Sequence, residues 1–295
     1  MKGSLFIILA CFLWAADSLI RYPLIYQGID AIAIVIVEHV FLTSMFLGVI
    51  YRGRKKIWNS KISHLFYFAV IGCLGSALGT VAFTKAFSIL NPSVVILLQK
   101  LQPVVAIMLA HVILKEKLKP QFILWASICL VGGIVVSYKD LTGLSGSWSF
   151  QEDKALLGYM LVLVSVVSWG SATVFGKKLS LEGYDHKEIM AGRFLFGLVT
   201  LLPFVLTGTV NPVLPKYVLG KICIMVILSG FLGMYFYYLG LKRVSARVSA
   251  LTEMIFPFAA VCVNWIFLDK TLEPSQMLGG GLLLLGSLVI QIKHY

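Results

Sequence analysis

The sequence predicts an all-α integral membrane protein of ten transmembrane helices, arranged as two inverted five-helix repeats with both termini cytoplasmic. Three observations lead there. The chain is 59% hydrophobic and only 13% charged, with a mean hydropathy of +0.92. Its apolar residues run in continuous stretches of membrane-crossing length. Landmark residues recur at a fixed offset between the two halves.

A charged share this low is about half that of a soluble domain, and a core of this size could not hide so much apolar surface. In lipid the helix satisfies its own backbone hydrogen bonds. A barrel would instead alternate over about ten-residue segments. The net charge of +12 would suggest nucleic acid in a soluble chain. Here the basic residues sit in short loops, so the expected partner is the lipid bilayer and no nucleic acid. The five cysteines, Cys11, Cys73, Cys129, Cys223 and Cys262, all lie in apolar segments without a CxxC pair. They read as small core residues, and neither a metal site nor a cofactor is expected. Lys2 and Ile8-Leu9-Ala10-Cys11 loosely resemble a signal and lipoprotein box. One lysine is a thin n-region and many spans follow, so a retained first helix is expected.

Apolar stretches of about 17–25 residues follow in order. The first, 3–20, carries Trp14 and Asp17. The second, 31–51, holds Glu38 and His39, and the third, 64–87, ends beside Lys85. The fourth, 92–114, has Gln99 and Lys100 ahead of the helix-breaking Pro103. The fifth, 120–138, opens on Pro120. A polar stretch rich in Gly, Ser and Thr follows, read as an extracytoplasmic linker at 140–154. Then come 156–177 with Trp169, 186–207 with Arg193, and 217–240 with Tyr235, Tyr237 and Tyr238. The last two are 245–268, with Glu253, Pro257 and Asn264, and 273–292, with Gly279, Gly280, Gly281 and Gly286. The expected units are therefore 1–139 and 155–295. With the N-terminus inside, the inner loops carry 16 Lys and Arg against 7 outside, Arg21 and Lys85 counted among the outer set. That bias places both termini in the cytoplasm of a cell (inner or plasma) membrane.

The repeat rests on spacing. Trp14 lies 24 residues before Glu38, and Trp169 lies 24 before Arg193. Gly79 precedes Pro103 by 24, and Gly233 precedes Pro257 by 24. Pro103 precedes Pro120 by 17, and Pro257 precedes Pro274 by 17. The halves are offset by 155 and then 154, which one deletion explains. A unit with an odd number of spans enters the membrane from opposite faces in its two copies. Inverted pairs of this kind support alternating access around a site at their interface.

These stretches resemble the drug/metabolite transporter superfamily, EamA-like family. The matching residues are Phe12-Leu13-Trp14-Ala15 and Val167-Ser168-Trp169-Gly170. Gly192-Arg193-Phe194-Leu195 resembles its arginine motif. Leu114-Lys115-Glu116-Lys117-Leu118 with Pro120 resembles its glutamate motif, and Leu272, Pro274, Gln276 and Gly279 fit the second copy. The counterparts depart from the pattern at Glu38, opposite Arg193, and at Lys270, opposite Glu116. The resemblance implies a cavity lined mainly by helices 1, 3, 4, 6, 8 and 9, and transport of small metabolites, often amino acids and often by export.

Ionisable groups inside a membrane face an interior or a wet path. Lys100 and Glu253 fall at neighbouring positions of equivalent helices, each just before a proline; Glu253 matches Gln99 in the repeat. They either meet substrate charges or pair with each other. Trp14 and Asp17 share a helix face, and Trp169 is the symmetric partner of Trp14. The tryptophans either wall a cavity or pack helices. Tyr235 and Tyr238 share a face and offer polar lining. Glu38, His39 and Arg193 form an expected gating or proton-coupling group, with a structural role the better reading of Arg193. Lys85 and His111 sit near helix ends and snorkel. Asn264 reads as an interhelical hydrogen bonder. Gly279 to Gly286 allow close packing, either within the bundle or in a homodimer.

The nearly balanced buried charge suits a zwitterion. The expected function is thus a secondary active transporter exporting a small polar or zwitterionic metabolite, an amino acid or related compound, coupled to a proton or counter-substrate. It would act as a monomer or weak homodimer. The alternatives are a carrier of an organic cation, nucleoside or other drug-like solute, and a non-transport scaffold or lipid-handling subunit. No HExxH, GxSxG, helix-opening GxGxxG or Walker A motif is present, so no enzyme and no ATP drive are expected.

Overall fold

The computed structural model describes residues 2–58, 61–115, 117–142, 154–241, 243, 252–253 and 255–293, and the regular elements among them are all helical. They are α1 (Lys2–Tyr26), α2 (Ala31–Met45), α3 (Leu47–Trp58), α4 (Ile62–Ala86), α5 (Pro92–Leu114), α6 (Gln121–Thr142), α7 (Lys154–Leu181), α8 (His186–Leu206), α9, α10 (Ile255–Leu268) and α11 (Pro274–Lys293). Helix α9 starts as Lys216–Met225, passes through a π-helical stretch, Val226–Leu232, and ends as Gly233–Leu241. Among the described residues, eight helices are long and apolar enough to cross a membrane. The bent pair α2–α3 makes a ninth, and α10 is a shorter apolar helix. Glu116, residues 143–153 of the expected linker, and Lys242 and Arg247 of the expected inner loops lie outside the described residues, as does the side chain of Tyr238.

The helix starts follow capping chemistry. Asp30 accepts hydrogen bonds from the Ile32 and Ala33 N–H groups at 2.8 and 3.1 Å, opening α2. Asp185 and Glu188 form a reciprocal capping box at the start of α8, which satisfies donors that have no partner within the helix.

Two expectations need correction. The first segment does not stop before Arg21: α1 continues through Pro23 to Tyr26, and Arg21 lies inside it, only 5% exposed. It is not an outer-loop cation. The charge is tolerated because Asp17, one turn earlier on the same face, pairs with it. The second segment is not one straight span, because α2 and the start of α3 meet at 62°. No proline makes this bend. It falls at Phe46, between the end of α2 and the start of α3. The Phe46 ring at the corner packs on Phe194, 5.6 Å between centroids.

Two π-helical stretches occupy matching places. Val70–Leu78 in α4 ends just before Gly79, and Val226–Leu232 in α9 ends just before Gly233. A π turn frees carbonyls from the regular ladder, and both are used. The Gly75 carbonyl accepts from the Arg193 guanidinium at 3.0 Å, and the Ser229 carbonyl accepts from Trp14 Nε1 at 3.1 Å. Gly75 and Ser229 are 154 residues apart.

Packing is exchanged between the halves. Helix α1 lies against α9 and α10, whereas α7 lies against α4 and α5. Helices α6 and α11 pair with each other. A Cβ added at Gly279 would lie 2.5 Å from the Val136 nitrogen, and one at Gly286 would lie 2.5 Å from Cys129 Sγ. The glycines of α11 are therefore spent inside the bundle, with the exception of Gly281, which has open space beside it.

Candidate functional site

A cavity of about 540 Å³ occupies the middle of the bundle. It is lined from α1, α2, α4, α7, α8, α9 and α10, together with α5 and the turn before it, while α6 and α11 stand outside. The α1, α4, α5, α7, α9 and α10 walls are those the family resemblance implies; α2 and α8 are additional. The lining reaches exposed Thr173 and Ser180 at one end. At the other it stops at Arg21, Phe83 and Phe87.

That closed end is an ionic network. Arg21 Nε donates to Asp17 Oδ2 at 2.6 Å and Nη2 to Asp17 Oδ1 at 3.2 Å. Arg21 Nη1 donates to Glu38 Oε2 at 3.1 Å and to Thr84 Oγ1 at 3.1 Å. Ser229 adds its hydroxyl to Asp17 Oδ1 at 2.8 Å. One guanidinium thus ties α1 to α2 and α4, and Asp17 ties α1 to α9. Arginine suits this place because its planar fork reaches two carboxylates at once.

His39 is buried and bonded at both nitrogens, Nδ1 to the Val35 carbonyl at 2.8 Å and Nε2 to the Ser76 hydroxyl at 2.8 Å. A carbonyl only accepts, so Nδ1 carries hydrogen. In the neutral ring Nε2 then accepts from Ser76. His39 reaches the cavity without bonding Glu38.

The two tryptophans face each other's half. Trp14 packs on Tyr237 and Phe256, 5.3 and 6.3 Å between centroids, and Trp169 packs on Phe83 at 5.0 Å. Gly233 backs Trp14, and Gly79 backs Trp169.

Of the residues singled out from sequence, Trp14, Asp17, Glu38, His39, Gln99, Trp169 and Arg193 come together on the cavity wall. Lys100 and Glu253 are not among its lining residues. Lys100 lies over the Phe256 ring, 5.0 Å from its centroid, within electrostatic reach of Glu253. Glu253 accepts from the Tyr237 hydroxyl at 3.0 Å. Phe256, which does line the cavity, stands between that cluster and the central space. Tyr235 is 54% exposed and stacks on Phe231, away from the cavity. Arg21, Thr84 and Ser229 were missed from sequence. The signal for Arg21 was its spacing of four from Asp17.

Asn264 joins three helices below the network: its carbonyl accepts from Ser18 at 2.7 Å, and its amide donates to Ser93 at 3.1 Å. All three residues are buried. Asn264→Leu is expected to lower stability by about 1 kcal/mol, read as a lower melting temperature in detergent. An unchanged melting curve would show that this chain of bonds is dispensable.

Comparison with known proteins bears on the whole chain. The model of the EamA-like transporter family matches it twice, over residues 1–138 and 156–292. It is similar to the riboflavin transporter ImpX of Fusobacterium nucleatum subsp. nucleatum, 29% identical across 98% of this chain and 97% of that protein. An uncharacterized transporter of Clostridium kluyveri is 26% identical across 98% of this chain and 92% of its own length. Another, of Archaeoglobus fulgidus, is 23% identical across 100% of both. A solved crystal structure shares the fold over 99% of this chain and 96% of its own, with a TM-score of 0.59 at 14% identity.

Proposed function

We propose that this chain, which belongs to the EamA-like transporter family, is a secondary transporter carrying a neutral, planar aromatic metabolite of the flavin class. The observation that carries this reading is the closed charge balance of the cavity. Arg21 is bonded to both Asp17 and Glu38, so the ammonium of a zwitterion would have to break that network to find a carboxylate. Besides these and Arg193, which donates to the Gly75 carbonyl, the walls offer aromatic surface from Trp14, Trp169, Phe83 and Phe256 with neutral hydrogen-bonding groups. Such walls suit a flat ring with polar edges. The relative named a riboflavin transporter, similar along nearly its full length, supports the same class.

The transport mechanism in this reading is alternating access by two inverted five-helix units, 1–139 and 155–295, joined by an extracytoplasmic linker at 140–154. The double family match, the paired π stretches and the exchanged packing of α1 and α7 support the repeat. Ten spans then follow, with α2–α3 as one and α10 as another, both termini cytoplasmic, in the cell membrane. The open end at Thr173 and Ser180 is the cytoplasmic mouth, and the Arg21 network is the closed outer gate. Glu38 belongs to that gate directly. His39 and Arg193 brace it by holding α2 and α8 to α4.

Purified protein in liposomes is expected to move riboflavin saturably, and riboflavin binding to quench protein tryptophan fluorescence. The amino acids suggested by charge balance alone serve as the competing substrates. Saturable amino-acid flux without riboflavin flux would overturn the flavin assignment. Absence of any flux would return weight to the scaffold alternative.

A further inference from the structure

We infer that Gln99 is the specificity-determining residue of the cavity and reads a cyclic imide, an N–H flanked by two carbonyls, on the edge of the bound ring. The inference rests on the flavin reading above and names the contact that would select the ring.

Gln99 opens a 3₁₀ turn, Gln99–Leu101, that interrupts α5 between Pro92–Leu98 and Gln102–Leu114. The break lies near the middle of the span and turns Gln99 to the cavity wall. Its Oε1 is buried without a hydrogen-bond partner among the described residues. A buried acceptor left this way is destabilising, and such exceptions in folded proteins call for an explanation.

Its repeat counterpart sharpens the point. Glu253 stands 154 residues later and is engaged by the Tyr237 hydroxyl. The carboxylates nearby are also engaged, Asp17 and Glu38 by Arg21, and Arg193 donates to the Gly75 carbonyl. The Gln99 amide is thus neutral and half-buried, with its Oε1 unpartnered among the described residues, beside carboxylates that are already matched.

A carboxamide presents a carbonyl acceptor and an N–H donor side by side. An imide edge presents the complement, so the two can form paired, parallel hydrogen bonds, as Asn and Gln do with adenine. The isoalloxazine ring of a flavin carries this edge; so do uracil and thymine. Amino acids and quaternary amines do not. Trp14, Trp169 and Phe256 supply aromatic surface for the ring faces. Because Oε1 is turned into the protein here, docking includes a rotation of the side chain that brings both ends of the amide to the ring edge.

The experiment measures riboflavin and N3-methylriboflavin binding to the purified full-length protein by fluorescence quenching, with melting temperature as the folding control. The methyl group removes the imide donor and leaves the ring otherwise intact. The wild type is expected to bind riboflavin about tenfold more tightly than the methylated form. Gln99→Leu is expected to weaken riboflavin binding to the level of its N3-methyl form and abolish that preference. Equal wild-type binding of the two flavins would overturn the Gln99 assignment while leaving flavin transport intact. Failure to bind either flavin, with Gln99-dependent binding of uridine or thymidine, would overturn the flavin reading and leave the imide assignment standing. No binding of any imide would remove both. The wild-type comparison holds even if Gln99→Leu fails to fold.

Discussion

Arg21→Met is expected to reduce transport to background and to lower the melting temperature markedly. Methionine fills similar space but leaves Asp17 and Glu38 facing each other without a cation. Removing one partner of a buried ion network costs about 3–5 kcal/mol. Arg21→Lys is expected to fall between, because an ammonium cannot fork across two carboxylates while also reaching Thr84. The triple change Arg21→Met, Asp17→Asn, Glu38→Gln separates folding from gating. It is expected to recover much of the stability without restoring coupled flux, because a neutral seal no longer holds α1 to α2 and α4 in one of two states. Proteoliposome flux and thermal unfolding measured on the same preparations decide this. Wild-type flux in Arg21→Met would remove the outer gate from the mechanism.

The second large effect is steric. A Cβ at Gly233 would lie 2.6 Å from Trp14 Nε1, and one at Gly79 would lie 2.9 Å from Trp169 Nε1. Neither distance is tolerable, and an indole cannot bend away as a flexible chain would. Gly233→Val should push Trp14 off the Ser229 carbonyl and into the cavity. Overpacking of this kind costs about 1–3 kcal/mol, and the displaced ring should also occlude the substrate. We expect Gly233→Val to lose at least tenfold in ligand affinity, about 1.4 kcal/mol, and Gly79→Val to lose less, since its contact is longer. Trp14→Phe in the Gly233→Val background should restore part of the loss. Wild-type affinity in Gly233→Val would sink the assignment of Trp14 to the substrate wall.

Much of the candidate site was legible because lipid leaves polar residues few places to go. Trp14, Asp17, Glu38, His39, Gln99, Trp169 and Arg193 are scattered over 180 residues of sequence, yet they line one cavity. The misplacements have local causes. Lys100 follows Gln99 in a 3₁₀ turn, where adjacent residues point about 120° apart, so membership of the same short run could not put both on one wall. Tyr235 and Tyr237 are separated by two residues, about 200° of helix. Tyr237 therefore reaches Trp14 and Glu253 while Tyr235 turns outward. Arg21 ended the apolar count because hydropathy scores a charge without asking what neutralises it. The bend between α2 and α3 carries no proline, and the π stretches carry no composition of their own. They become visible only through the carbonyls they release.

The hydrogen bond from Trp14 to Ser229 spans 215 residues of chain. At a synthesis rate of about 5–20 residues per second, α1 emerges about 10–40 s before its carbonyl partner exists. The Asp17–Arg21 pair can meet Glu38 early, but the indole must wait for the second half. The nascent first half is therefore an unfinished surface in the bilayer, in need of shelter until α9 arrives. Ribosome stalling between α7 and α9 should leave it accessible to insertion factors and to quality-control proteolysis.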